Sequence, residues 1–126
     1  MYKKIKPNII YIPNKHDLNQ DHKTVFDVCD VVLRRYQPHQ PNKIFCYEIP
    51  SSTTQSFRNN FKINWYESLT KKQIDVKIKA FNEYKNETRE YPNPRNNQGI
   101  TLYAKFRGME SNSNYAEAFN LIYCKK

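Results

Sequence analysis

PNIIYIPNKHDLNQDHKTV, residues 7–25, contains the change of periodicity from which the rest of the fold is read. Ile9 to Ile12 form an uninterrupted apolar run between Pro7 and Pro13, the composition of a short strand buried on both faces. From His22 onward the spacing changes. Val25, Val28, Cys29, Val32 and Tyr36 recur at helical intervals, with Lys23, Asp27, Asp30 and Arg34 between them, and the pattern ends before Pro38. Between strand and helix, residues 16–25 crowd two His, two Asp, an Asn and a Gln into one junction. In open α/β sheets ligands bind beyond the carboxyl ends of strands, and residues 13–22 occupy that place. His22 falls in the first turn of the helix, where the positive end of the dipole disfavours imidazolium and keeps a neutral nitrogen available to a metal. Asp21 beside it would orient a ligating His or handle a proton. The same residues also read as Asp21 or Asn19 capping the helix, His22 on its surface, and His16 and Asp17 in solvent. Spacing alone leaves both readings open, since no H-E-x-x-H occurs.

Working outward, Lys43 to Ile49 is aromatic and β-branched, and Phe61 to Tyr66 alternates apolar with polar residues, so both are expected as strands. The segment between them, residues 50–60, reads as a loop. Thr70 with Gln73 forms a capping box, with Leu69 against Ile74 as a staple, and opens a helix expected to run to about Tyr84 and bury Ile74, Ile78 and Phe81. A proline-punctuated loop follows. Asn93 and Pro94 are expected to open a third helix with Ile100, Tyr103 and Ala104 inward and Gly108 as its C′ residue. Residues 115–123 read as a last strand. Alternating strands and helices predict an α/β fold with a largely parallel sheet, in a single domain over residues 1–126.

The net charge of +9 favours anionic partners without choosing among them, and its 15 Lys against 6 Arg, spread along the chain, lack the clustered Arg forks of base and phosphate readers. Two glycines leave no room for a G-x-G-x-x-G or P-loop phosphate cradle. Three cysteines, Cys29, Cys46 and Cys124, without C-x-x-C spacing indicate neither a disulfide framework nor a thiolate zinc site. No apolar stretch approaches the length of a signal-peptide core or a membrane span, so a cytoplasmic location is expected.

The order of short segments resembles one family. KPNIIYIP, DLNQDHKTV, EIPSST at 48–53, KIKAFNEYKNE, REYPNPR, Arg107-Gly108 and YAEAF at 115–119 together resemble the C-terminal half of the PIG-L, or LmbE-like, zinc-dependent N-deacetylases, over almost the whole chain. The resemblance implies a Rossmann-like fold and hydrolysis of the acetyl group from an N-acetylated amino sugar. It implies that zinc is held by a His and an Asp of a His-Pro-Asp-Asp motif together with the His of a later Asp-His motif, which matches His22. Asp21 matches the carboxylate that positions this ligand or the reacting groups. Asn19 stands where the family often has His; an amide can donate to an oxyanion but cannot deliver a proton near neutral pH. Asp17 matches an acidic position suited to a sugar hydroxyl, and Arg95 one suited to a substrate phosphate or carboxylate. Glu117 in YAEAF is expected to be structural.

One part of the family pattern is missing: no His-Pro-Asp-Asp occurs in these residues. Two zinc ligands and the family's general base are therefore absent, and zinc hydrolysis needs about three protein ligands with an open position for water. The family's N-terminal half also supplies the first strands of the sheet, with MYKKIK read as the last turn of a helix feeding the strand at 9–12. The chain is thus expected to be a C-terminal portion, inactive alone and completed by an N-terminal half or second subunit. Two other classes compete: a non-catalytic interaction subunit, and a basic nucleic-acid module that stacks bases on some of its ten Tyr. Against the latter, most aromatics fall at core-periodic positions, and no nucleic-acid partner is expected.

Overall fold

Apolar period and capping residues place eight elements in the computed structural model, which describes residues 2–36, 38–58 and 61–126. They are α1 (Tyr2–Ile5), β1 (Ile9–Pro13), α2 (Gln20–Val32), β2 (Lys43–Tyr47), β3 (Trp65–Ser68), α3 (Lys71–Asn82), α4 (Asn97–Glu110) and β4 (Ala116–Cys124). The end of the expected loop at 50–60, residues 59 and 60, lies outside the described residues, as does residue 1 of the MYKKIK segment.

The mixed α/β class is the one expected, but the sheet is not largely parallel. Its order is β1-β2-β4-β3. Only β1 and β2 run parallel, in the register Ile10 to Ile44 and Ile12 to Cys46, whereas β2 and β4 are antiparallel. The bonds Asn64 N to Phe119 O and Leu69 N to Tyr115 O set β3 antiparallel to β4 as well. The reason is the count of helical passes. One helix between strands carries the chain back to a parallel start, as α2 does between β1 and β2, whereas two helices, α3 and α4, return it to the end it left. Asn64 also shifts the third strand from the expected 61–66 to 65–68. Its side-chain amide takes both the carbonyl and the N–H of Leu121, where backbone groups of a regular strand would pair, while its own N–H bonds the Phe119 carbonyl.

The chain divides into two compact units, residues 1–65 with 119–126, and residues 66–118. In the first, Ile12, Ile44 and Cys46 are buried, and Ile10, Phe26, Cys29, Leu33, Phe61 and Tyr123 pack around them. On the opposite face of the same strands, Tyr11 stacks on Phe45 at 5.3 Å between centroids, and Phe119 and Trp65 lie against Phe45 at 5.7 and 5.4 Å. Two expectations are corrected here. β1 is not buried on both faces: Phe26, Cys29 and Leu33 cover the face that carries Ile12, whereas Tyr11 on the other keeps 55% of its surface exposed. Of the residues expected inward on α2, only Cys29 is. Val25, Val28 and Val32 are exposed, while Phe26, Cys29 and Leu33 meet the sheet. The helix carries two apolar stripes one residue apart in phase, and the one with the larger side chains, Phe26 and Leu33, takes the core. Tyr36 is fully exposed, beyond the end of α2 at Val32.

In the second unit the Thr70–Gln73 capping box forms in both directions and Ile74 is completely buried. The next helix is capped by Asn96, whose side chain accepts from Gly99 N, rather than opened at Asn93 or Pro94. Gly108 is not its C′ residue but lies inside α4, where a Cβ would come within 2.5 Å of the Ser113 carbonyl oxygen. The chain folds back against the helix at that point, and Asn112, at φ 54°, makes the left-handed turn. Among the described residues no helix is long and apolar enough to cross a membrane.

Candidate functional site

The junction after β1 folds through a run of short side-chain-to-backbone bonds, the preferred use of Asn and Asp in such a sequence. The Asn14 carbonyl accepts the Asp17 N–H at 3.1 Å, and its side-chain oxygen accepts that of His16 at 3.4 Å. Asp17 Oδ1 accepts the Asn19 N–H at 2.8 Å. Asn19 is the N-cap of α2, with extended backbone and its Oδ1 accepting the Asp21 N–H at 2.8 Å. Three polar side chains, Asn14, Asp17 and Asn19, each accepting the N–H two residues on, thus step the chain from strand to helix and place His22 on the first turn.

His22 Nδ1 lies 2.9 Å from Asp17 Oδ1, its side chain 26% exposed and that of Asp17 fully buried. The other oxygen of Asp17 accepts Ser52 Oγ at 2.9 Å and Thr53 Oγ1 at 2.5 Å, both from the loop that follows β2. Burial works against ionisation of Asp17, but the bonds from Thr53, the Asn19 backbone, His22 and Ser52 outweigh it and hold the carboxyl below its usual value. An ionised carboxylate can only accept, so the hydrogen of a neutral His22 ring sits on Nδ1 and the lone pair on Nε2. A buried carboxylate fixing one ring nitrogen while the other faces outward is how ligating histidines are held in metal sites.

The residues singled out in the sequence are therefore used differently from one another. The bond to His22 comes from Asp17, five positions before it, and not from Asp21, which is exposed on the first turn. Asp17 offers no surface to a sugar hydroxyl; both its oxygens are taken within the protein. Asn19 spends its side-chain oxygen on the helix cap, and its amide nitrogen is the group suited to an oxyanion. Arg95 belongs to the second unit, in the loop before α4, where Nη1 donates to Glu87 at 2.6 Å. Glu117 pairs with Lys77. Sequence reading missed Ser52 and Thr53. They lie 35 and 36 residues from Asp17, and their sequence signal is a cluster of small hydroxyl residues in the EIPSST segment at 48–53.

A neutral imidazole held through Nδ1 offers on Nε2 one nitrogen donor of the kind that zinc takes. Among the described residues no three His, Cys, Asp or Glu side chains converge to hold a metal ion. No family model matches the chain, and no curated protein does.

Proposed function

We propose that this chain is the C-terminal portion of a PIG-L/LmbE-like zinc-dependent hydrolase of Rossmann-like fold that removes the acetyl group from an N-acetylated amino sugar. The order of its motifs supports this reading. The observation that carries it is the His22–Asp17 pair at the carboxyl end of β1, which leaves Nε2 of a quarter-exposed imidazole directed away from its buried carboxylate partner. Zinc, when bound, lowers the pKa of water towards about 7 and polarises the amide carbonyl. Asp17 holds the ring through Nδ1, and Asn19 has an amide N–H to offer an oxyanion. Asp21 lies one residue from the ligand at the helix start, where a carboxylate meets substrate or handles a proton.

The remaining ligands then come from a second polypeptide segment bearing His-Pro-Asp-Asp. Exposed apolar surface supports such a partner. β1 is an edge strand with Ile9 and Tyr11 exposed, and α2 turns Val25, Val28 and Val31 outward. The test is reconstitution. The 126-residue protein alone is expected to show negligible deacetylation, and its mixture with a polypeptide encoding that segment is expected to bind one zinc per complex and release acetate from N-acetylglucosamine derivatives. His22→Ala should abolish both gains. A complex that forms without zinc or activity, indifferent to His22→Ala, would instead establish the non-catalytic interaction subunit.

A further inference from the structure

The loop after β2 brings two hydroxyl groups to the carboxylate that holds His22. We propose that Ser52 and Thr53 are positioning residues: together they lock the Asp17 carboxylate in the one orientation that keeps the ring hydrogen of His22 on Nδ1 and its lone pair on Nε2. The proposal deepens the zinc reading and rests on it for its consequence, but the tautomer itself is a property of this chain alone.

The four bonds to Asp17 are divided evenly. Oδ1 receives the Asn19 N–H and the ring nitrogen, and Oδ2 receives the two hydroxyls. Anchored at both oxygens, the carboxylate cannot turn about its Cβ–Cγ bond without disturbing all four. The direction of the Thr53 hydrogen is also determined. Thr53 Oγ1 accepts the Ile49 N–H at 2.9 Å, and the ionised Asp17 has no hydrogen to give, so the hydroxyl hydrogen points to Oδ2. Backbone bonds hold both residues in place. Ser52 N and Thr53 N donate to the Ile49 carbonyl at 3.0 and 2.8 Å, and Leu18 N donates to the Ser52 carbonyl at 3.4 Å, tying this loop to the one that carries Asp17. Thr53 has no exposed surface, so its hydroxyl has no access to bulk water. Valine would fill the same volume without the hydroxyl, which separates the bond from the packing.

Side-chain ¹⁵N spectra of His22 in the intact 126-residue protein, recorded at about pH 8 where an ordinary imidazole is neutral, test the proposal. The wild type is expected to show the hydrogen on Nδ1 alone. Ser52→Ala/Thr53→Val should lose this single pattern to a mixture containing the Nε2–H form, which free imidazole side chains prefer, and Thr53→Ser should keep the wild-type pattern. A wild-type ring protonated on Nε2, or a double variant with an unchanged His22 pattern, overturns the proposal. If the double variant does not fold, the single Ser52→Ala and Thr53→Val proteins are compared instead, and an unchanged pattern in both overturns it. Addition of Zn²⁺ to the reconstituted complex is a separate arm. A His22 Nε2 signal that zinc does not move sinks the metal-ligand reading, while the tautomer pattern alone decides the role of the two hydroxyls.

Discussion

Replacing Asp17 with Ala tests whether this residue, and not Asp21, is the carboxylate on which the junction depends. The deletion strands four donors, of which Ser52 and Thr53 are almost wholly buried while His22 can turn to water. A buried donor without an acceptor costs about 1–3 kcal/mol, so the two hydroxyls alone imply roughly 2–6 kcal/mol. Against this, removing a buried carboxylate returns its desolvation penalty, of the order of several kcal/mol before relaxation. Removing one partner of a buried charged pair, with both terms included, costs about 3–5 kcal/mol, and because His22 can turn to water the lower figure of about 3 kcal/mol is expected. Asp21→Ala removes an exposed side chain whose favourable interaction with the helix dipole is worth about 0.3–1 kcal/mol. Trp65, the single tryptophan and a member of the aromatic cluster in the first unit, reports unfolding in urea. With m near 2 kcal/mol/M, the Asp17 variant should lose roughly 1.5 M from its midpoint and the Asp21 variant under ~0.5 M. Equal midpoints, or a larger loss for Asp21→Ala, would refute the assignment.

Other consequences follow from the same structure. Because the carboxyl of Asp17 titrates below its usual value in the folded state, its stabilising contribution is complete above the unfolded value of about 3.9 and is lost as pH falls through the lower folded value; acid unfolding curves of wild type and Asp17→Asn should therefore converge at low pH. Burial pushes the Cys46 thiol up to about 11 and leaves it inaccessible, whereas Cys124 is exposed. A thiol reagent at neutral pH should label Cys124 in the native protein and Cys46 only after denaturation, as mass spectrometry would show. Gly108→Ala, which in an ordinary helix interior would stabilise by roughly 0.5–1 kcal/mol, should instead destabilise by about 1–3 kcal/mol, because the new methyl meets the Ser113 carbonyl. A raised melting temperature would contradict that contact. Asn19→Ala should cost about 1 kcal/mol through the lost cap of α2, read from its loss of helical circular dichroism at lower denaturant.

Local chemistry was legible in the residues themselves. The capping box of Thr70 and Gln73, the strand between Pro7 and Pro13, and His22 on the first turn of a helix all follow from interactions that span a turn or less, so a short window of sequence contains every participant. What lay beyond such a window was decided by packing. Two apolar stripes on α2 were equally periodic, and only the sheet selected Phe26 and Leu33 over Val25 and Val28. Two helices in succession reversed the return of β4 and made a sheet expected to be parallel mostly antiparallel. At the site, proximity in sequence favoured Asp21 as the partner of His22, because it is adjacent. Adjacent residues on a helix point about 100° apart, whereas Asp17, in the loop before the cap, reaches back to the ring and is held there by hydroxyls from a loop some 35 residues distant. Hydrogen bonds of that reach leave no periodic trace along a chain, since their geometry exists only once β1 and β2 lie side by side.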